Sequence, residues 1–413
     1  MLDNTRVWLQ GRYYKILNSI AFYPAFIGVT FLVLSYLVIL FDFSEAGKHI
    51  KSQLPPYISL KDASTARSII SAIVSGVISL TVFSFSMVMI VLNQAASQLS
   101  NRVLNRLIGN RFQQIVLGIY IGTIVFALFL LTAIRDIDSG IYIPALSTYL
   151  LILLTIFDIF LFIYFLHYIT QSVKYEVIIN RIYEDTKNVM ESACVLPQQP
   201  TEPIALKGSH YVLANSSGIY EGFDTESLVK LADEHDCLFF ALHTPGTFVL
   251  QGLPLLQVSK PIGPDAQQEA ARAVRLNTSE SVEENFFYGM RQLSEIGMKA
   301  LSPGINDPGT AIIATRALFQ LLAFRISHFP ENVVRNRAQQ VRILIKELTF
   351  DDMFAHTVLP VWDYGKDDRL VQHEMFHLLT QLLRISPLHS LMGRLLQEVN
   401  QKRQQQFLTV YKN

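Results

Sequence analysis

Cysteine, tryptophan and charge are all scarce in this chain of 413 residues. Its two cysteines, Cys194 and Cys237, sit in no CxxC and show no metal-type spacing. A disulfide framework is therefore not expected, and reduced thiols are the default. Only 16% of the residues are charged, against about 25% in ordinary soluble domains. The formal net charge is zero, which removes the basic footprint that a nucleic-acid-binding surface requires. Neither a nucleic-acid partner nor a cofactor is expected.

The charge deficit is local. Residues 1–170 carry almost all of the long uncharged runs, whereas residues 171–413 read as ordinary soluble sequence. Four stretches are long enough to cross about 30 Å of hydrocarbon: Ile20–Phe41, Ser68–Leu92, Phe112–Ile134 and Ile141–Thr170. The first outlasts a signal-peptide core and no small-x-small cleavage pattern follows it, so it is expected to remain as a span. Orientation follows from the basic residues near the spans. With the N-terminus inside, Arg6, Arg12, Lys15, Arg102, Arg106, Arg111, Lys174, Arg181 and Lys187 are inner, and Lys48, Lys51, Lys61, Arg67 and Arg135 are outer. This excess favours both termini in the cytoplasm.

Polar residues inside the spans are few and unevenly placed. On a helical wheel, Ser68, Ser75, Ser79, Ser86, Asn93 and Ser97 fall within about 40° of one another. This stripe on the second span is read either as a packing face, where small residues let helices approach, or as the lining of a wetted pore or cavity. The third span carries Gly118-x-x-x-Gly122, a pattern that lets two backbones meet. The fourth holds Asp158, the lone charged residue in the four stretches. Thr155 and Ser147 share its side of the wheel. An intramembrane acid marks an ion or proton path by default, the alternative being a protonated, hydrogen-bonded structural Asp. Arg135, Asp136 and Asp138 form a charged turn between spans three and four. The first span has the character of a lipid-facing anchor.

The remainder is expected to be a cytosolic α+β domain, making the whole chain mainly α. Four pieces are expected: a four-span domain over 1–170, a helix and Pro-marked linker over 171–203, a small barrel-like β module over 204–260, and a helical bundle over 266–413. Pro245-Gly246-Thr247-Phe248-Val249 and Gly252-Leu253-Pro254-Leu255 suggest a hairpin, and Ser227–His235 a short helix. Ser279–Ala300 reads as an amphipathic helix. After it comes Asn306-Asp307-Pro308, a structural turn in which Asp307 is a natural N-cap and Pro308 a natural first helical residue.

The string Tyr288-Gly289-Met290-Arg291-Gln292-Leu293, with Lys299-Ala300-Leu301-Ser302-Pro303-Gly304-Ile305-Asn306-Asp307-Pro308, resembles a bacterial family of predicted membrane proteins, domain of unknown function 2254. The second-span segments Phe83–Ser86 and Ser97–Ser100 and the segment Pro245–Val249 are similar to it as well. The resemblance covers nearly the whole chain and implies a bacterial inner-membrane protein, with no established activity to carry over. Where the family pattern often has Ser-Pro-Arg, this chain has Ser100-Asn101-Arg102, which loosens the expected helix stop.

One motif points elsewhere. His373-Glu374-Met375-Phe376-His377 is a literal HExxH, with Glu398 available as a third ligand, the arrangement of a zinc protease. The same stretch reads as an ordinary amphipathic helix with Leu370, Phe376, Leu379 and Leu383 as core. Three fixed positions arise easily by chance, so neither a metal site nor an enzyme is expected. The leading expectation is a homo-oligomeric channel or transport-related protein, with the lipid bilayer, its own copies and ions or an unknown cytosolic protein as partners. Ser75, Ser79, Ser86, Asn93 and Asp158 would line its polar path. The alternative is a non-transporting scaffold or sensor, and the zinc protease is a minor third.

Overall fold

The computed structural model describes residues 22–53, 60, 62–98, 111–137, 140–172, 174–200, 210–387 and 389–411. Arg6, Arg12, Lys15, Ile20, Lys61, Ser100, Asn101, Arg102, Arg106 and Asp138, used above, lie outside the described residues, as does the Ser97 side chain. The chain divides into two units, residues 1–174 and 175–413.

The first unit is helical. It comprises α1 (Phe22–Phe43), α2 (Glu45–Gln53), α3 (Ala63–Gln98), α4 (Arg111–Ala133) and α5 (Ala145–Ser172). Four of these, α1, α3, α4 and α5, are long and apolar enough to cross a membrane. Arg135 and Asp136 stand in a short antiparallel hairpin, β1 (Arg135–Ile137) against β2 (Gly140–Tyr142). Two apolar layers hold the bundle. One joins Ala66, Ile70, Phe126, Leu130 and Leu151; the other joins Val77, Val116, Tyr120, Phe165 and Ile169.

The first span is more than an anchor in lipid. One face of α1 packs closely on α4, while Phe26, Val29 and Leu37 on its other face are exposed. The close approach rests on two glycines. A Cβ at Gly118 would stand 2.7 Å from Ile27 Cδ1 and 3.2 Å from the Pro24 Cα, and one at Gly122 only 2.6 Å from the Phe31 ring. Gly122→Leu is therefore expected to cost about 1–3 kcal/mol through overpacking. A lower midpoint in detergent-mixture unfolding checks this; an unchanged midpoint contradicts the packing.

The second unit begins with α6 (Tyr175–Ala193). Strands β3 (His210–Leu213), β4 (Gly218–Phe223), β5 (Phe239–Ala241), β6 (Phe248–Val249), β7 (Pro254–Val258) and β8 (Val274–Asn277) follow, with helices α7 (Thr225–Glu234) and α8 (Pro264–Ala273) between them. Then come α9 (Phe286–Ala300), α10 (Pro308–Arg325), β9 (Val333–Arg335), β10 (Val341–Ile345), α11 (Phe350–Gly365), α12 (Arg369–Ile385) and α13 (Ser390–Tyr411). Local signals explain several starts. The Asp224 carboxylate accepts from the Glu226 and Ser227 N–H groups, and Thr349 with Asp352 forms a capping box on α11.

Among the described residues the strands do not form a closed barrel. They make a five-stranded sheet in the order β3-β7-β5-β10-β9 and a three-stranded sheet in the order β6-β4-β8. Strands β8, β9 and β10 come from the stretch expected to be helical. The hairpin expected from Pro245 to Leu255 is also absent, because β6 pairs with β4 while β7 pairs with β3 and β5. The cause is local. Gly252, at φ +81°, turns the chain so that its N–H donates to the Ala214 carbonyl, and the Leu253 carbonyl accepts from the Ala214 N–H. This steers the next strand into the other sheet. Val212, Tyr220, Leu228, Phe239, Leu256 and Ile343 form the core of this region. Helix α9 starts seven residues later than the 279 expected from periodicity, because the Asn285 side chain caps it by accepting from the Phe287 N–H at 3.0 Å.

Candidate functional site in the helical bundle

Asp158 is fully buried, and neither carboxylate oxygen has a hydrogen-bond partner. Along α5 it falls between Leu151 of one apolar layer and Phe165 of the other. Thr123 of α4 faces it, and Tyr120, one turn away, faces both Asp158 and Ser84 of α3. Ser84, Tyr120 and Thr123 are likewise buried, with side-chain oxygens that reach no partner at hydrogen-bond distance. Three helices thus converge four polar side chains on one enclosed point. A buried carboxylate left unpaired costs several kcal/mol unless it is protonated, hydrated or joined by a cation. The cluster has oxygen donors of the kind that hard cations and protons take.

The stripe lies elsewhere. Ser75, Ser79, Ser86 and Asn93 are all exposed on the outside of the single chain, as are Ser68 and Ser71. Three of the hydroxyls are turned back on their own helix: Ser75 donates to the Ser71 carbonyl at 3.0 Å, Ser79 to Ser75 at 2.9 Å and Ser86 to Val82 at 2.8 Å. Asp158 and the stripe are therefore not brought together. The two residues expected beside Asp158 also look away: Thr155 donates to the Leu151 carbonyl, and Ser147 donates to Asp42. Ser84, Tyr120 and Thr123 escaped the wheel because each stands alone among apolar neighbours.

Asp42, at the end of α1, is a second fully buried acid. One of its oxygens accepts from the Ser147 N–H at 2.8 Å and hydroxyl at 2.9 Å, and the other pairs with Lys51 at 2.8 Å. Unlike those of Asp158, both of its oxygens are engaged by groups of the first unit.

In the second unit, the turn at 306–308 is a helix start. Asn306 takes φ +50°, Asp307 caps α10 by accepting from the Thr310 N–H at 3.1 Å, and Pro308 follows in the first turn. The Thr310 hydroxyl and N–H hold the Asp307 carboxyl below the usual carboxylate range. Asp307→Ala is expected to cost about 0.5–2 kcal/mol at neutral pH. Because the folded pKa is depressed, that stabilisation is full above the unfolded value of about 4 and vanishes as pH falls through the folded one. Unfolding of both proteins between pH 7 and pH 2 should show the gap closing only on the acid side.

The HExxH residues sit on α12. The His373 and His377 rings are 4.4 Å apart and both residues are exposed. Glu374, which would have to activate water, is held in a two-point pair by Arg316 at 2.7 and 2.8 Å. Glu398 accepts from Trp362 Nε1 at 2.8 Å. Among the described residues no group of three His, Cys, Asp or Glu side chains could hold a metal ion. The helix buries Val371, Met375, Leu379 and Leu382, while Leu370, expected in the core, is exposed.

Four helices long and apolar enough to cross a membrane give the chain the character of a multi-pass membrane protein. The chain belongs to the family described as predicted membrane protein, DUF2254, whose sequence profile matches residues 17–381. Among curated proteins it is similar to uncharacterized proteins of Mycobacterium bovis and of Mycobacterium tuberculosis strain H37Rv. Each is 26% identical over 330 residues, covering 76% of this chain and 63% of the relative. The match thus spans less than two thirds of those relatives' length. No solved structure matches.

Proposed function

We propose that the chain is a subunit of a homo-oligomeric, ion-conducting or transport-related protein of a bacterial inner membrane, with both termini on the cytoplasmic side. The observation that carries this reading is Asp158, buried and unpaired among Ser84, Tyr120 and Thr123. It supplies the ion- or proton-binding point within each subunit. The stripe supplies the contact, and the polar lining, between copies. A Cβ at Gly76 would meet nothing within 4 Å inside the chain, so Ser71, Ala72, Ser75, Gly76 and Ser79 offer a second helix a shallow, small-residue face.

Two measurements test the oligomer. Gly76→Leu should leave the single-chain fold intact and lower the oligomer mass read by light scattering in detergent. Single cysteines at Ser75, Ser79, Ser86 and Asn93 should all react with a water-soluble thiol reagent if the stripe borders a wetted path. Reaction only near Asn93 would favour a dry contact. A non-transporting scaffold or sensor is the second reading. It is favoured by the stripe hydroxyls, which are already satisfied on their own helix and need no water. Under it, liposomes carrying the protein show no flux, and the full-length chain retains a partner in detergent extracts.

A further inference from the structure

The second unit contains a cavity of about 400 Å³, within the range of small-molecule sites. It opens where the parallel neighbours β5 and β10 end. The carboxyl ends of parallel strands are where open α/β sheets place ligands. Phe240, Leu242 and Phe329 supply apolar wall, and Arg325 and Glu347 supply charge.

Arg325 is the unusual wall residue. It is only 4% exposed. Two of its nitrogens donate to the carbonyls of His328 and Leu348 at 3.1 and 3.3 Å, and Nε has no partner. No carboxylate of the described residues forms an ion pair with it. Asp352, also on the wall, is exposed and turns one oxygen, Oδ2, to the Thr349 N–H and hydroxyl. Glu347 lies near enough to feel the guanidinium, yet burial pushes its carboxyl up to about 7. Of the four charged wall residues, Lys346 and Asp352 are exposed to solvent; of the other two, the acid can discharge by taking a proton and the guanidinium cannot. A buried cation without a counter-ion is costly, so the missing charge is negative.

We propose that this cavity binds a small organic anion, a carboxylate or phosphate monoester on an apolar body, with the anionic group on Arg325 and the body against Phe240, Leu242 and Phe329. This site is independent of the transport reading. Binding takes up a proton at Glu347, since an ionised Glu347 repels the ligand. The groups that face Glu347 are Arg325, Lys346 and Asp352 on the wall and Cys194 and Tyr220 nearby. Cys194 and Tyr220 are held neutral by burial, which raises both. Glu347 is therefore the wall group that changes charge between pH 6 and pH 8.

The experiment is calorimetric titration of the full-length chain in detergent with phenyl phosphate, benzoate, inorganic phosphate and benzylamine. Phenyl phosphate or benzoate should bind one per chain at least tenfold tighter than benzylamine, and whichever of the two binds tighter identifies the anionic group. Inorganic phosphate, lacking the body, should bind more weakly. Affinity for benzoate, whose own charge is constant over this range, should fall as pH rises from 6 to 8, and Glu347→Gln should tighten its binding at pH 8 by about tenfold or more, the effect of removing a nearby charge. Arg325→Met should abolish binding. Because that variant removes a buried charge and could misfold, Leu242→Trp, at a half-buried wall residue, should fill the space and abolish binding in a folded chain. No heat with either anion, benzylamine binding as tightly, or an unchanged anion affinity in Glu347→Gln each overturns the proposal.

Discussion

Replacing Asp42 with alanine should destabilise the membrane unit more than any other single change in it, by about 3–5 kcal/mol, the cost of breaking a buried ion pair from one side. The carboxylate ties three elements together. It ends α1, accepts from the Ser147 backbone and hydroxyl in the first turn of α5, and receives Lys51 from α2. The N–H groups of a helix's first turn have no intrahelical acceptor, so Asp42 serves α5 as a cap supplied from another helix. The path of α2 depends on Gly47, where a Cβ would collide with the carbonyls of Phe41 and Asp42. With alanine at 42, the Ser147 N–H is left unpaired in a buried place, and Lys51, with 23% of its side chain exposed, loses its anion. Asp42→Asn keeps an acceptor for Ser147 and should cost less. Ser147→Ala removes one hydroxyl bond and should cost about 1 kcal/mol. Midpoints of unfolding in mixed micelles order the three variants. A loss below about 0.5 kcal/mol in Asp42→Ala, the level of an ordinary surface substitution, would sink the argument.

Asp42 also illustrates what sequence reading reached and what it missed. The spans were legible because length and apolarity suffice to recognise them: Phe112–Ile134 was expected and Arg111–Ala133 is helical. Asp42 was passed over because it stands one residue beyond the expected end of the first span, where a charge looks like ordinary interface. The facing of α3 was not legible for a deeper reason. In a soluble helix the polar side is the outer side, whereas lipid is as apolar as a protein core, so the pattern loses its sense of direction. The aligned serines turned out to be exposed, and the solitary Ser84, between Phe83 and Phe85, is the inward one. The sheet was half legible. That residues 204–260 hold strands was legible from their turn residues, whereas their pairing was not. The pairing of residues 343–345 with 239–241 joins short segments a hundred residues apart, and no local pattern reports that. The HExxH spacing was visible, but the pairing of Glu374 with Arg316 depends on how α10 meets α12.

On the proposed transport reading, changing Asp158 to asparagine should leave the bundle folded and reduce ion flux at least tenfold. Asparagine has nearly the same shape and carries no charge, so it relieves the bundle of a carboxylate that no neighbour pairs. Stability should stay level or rise, as it does when a buried charge gives way to a neutral group of similar volume. Flux responds in the opposite direction, because the amide can neither take up a proton nor balance a cation. At an effective dielectric constant near 20, one charge contact at 4 Å is worth about 4 kcal/mol, and losing a third of that already slows a bound step about tenfold. Thr123→Val should act more weakly, since it removes one oxygen ligand and leaves the charge. The readout is proton and potassium flux into liposomes, alongside the unfolding midpoint of each variant. Full flux in folded Asp158→Asn would remove the carboxylate from any path. Wild-type liposomes no leakier than protein-free ones would remove the path itself and leave the scaffold reading. Reduced flux with an intact fold separates a working acid from a structural one, because replacing a purely structural Asp158 would leave the flux unchanged.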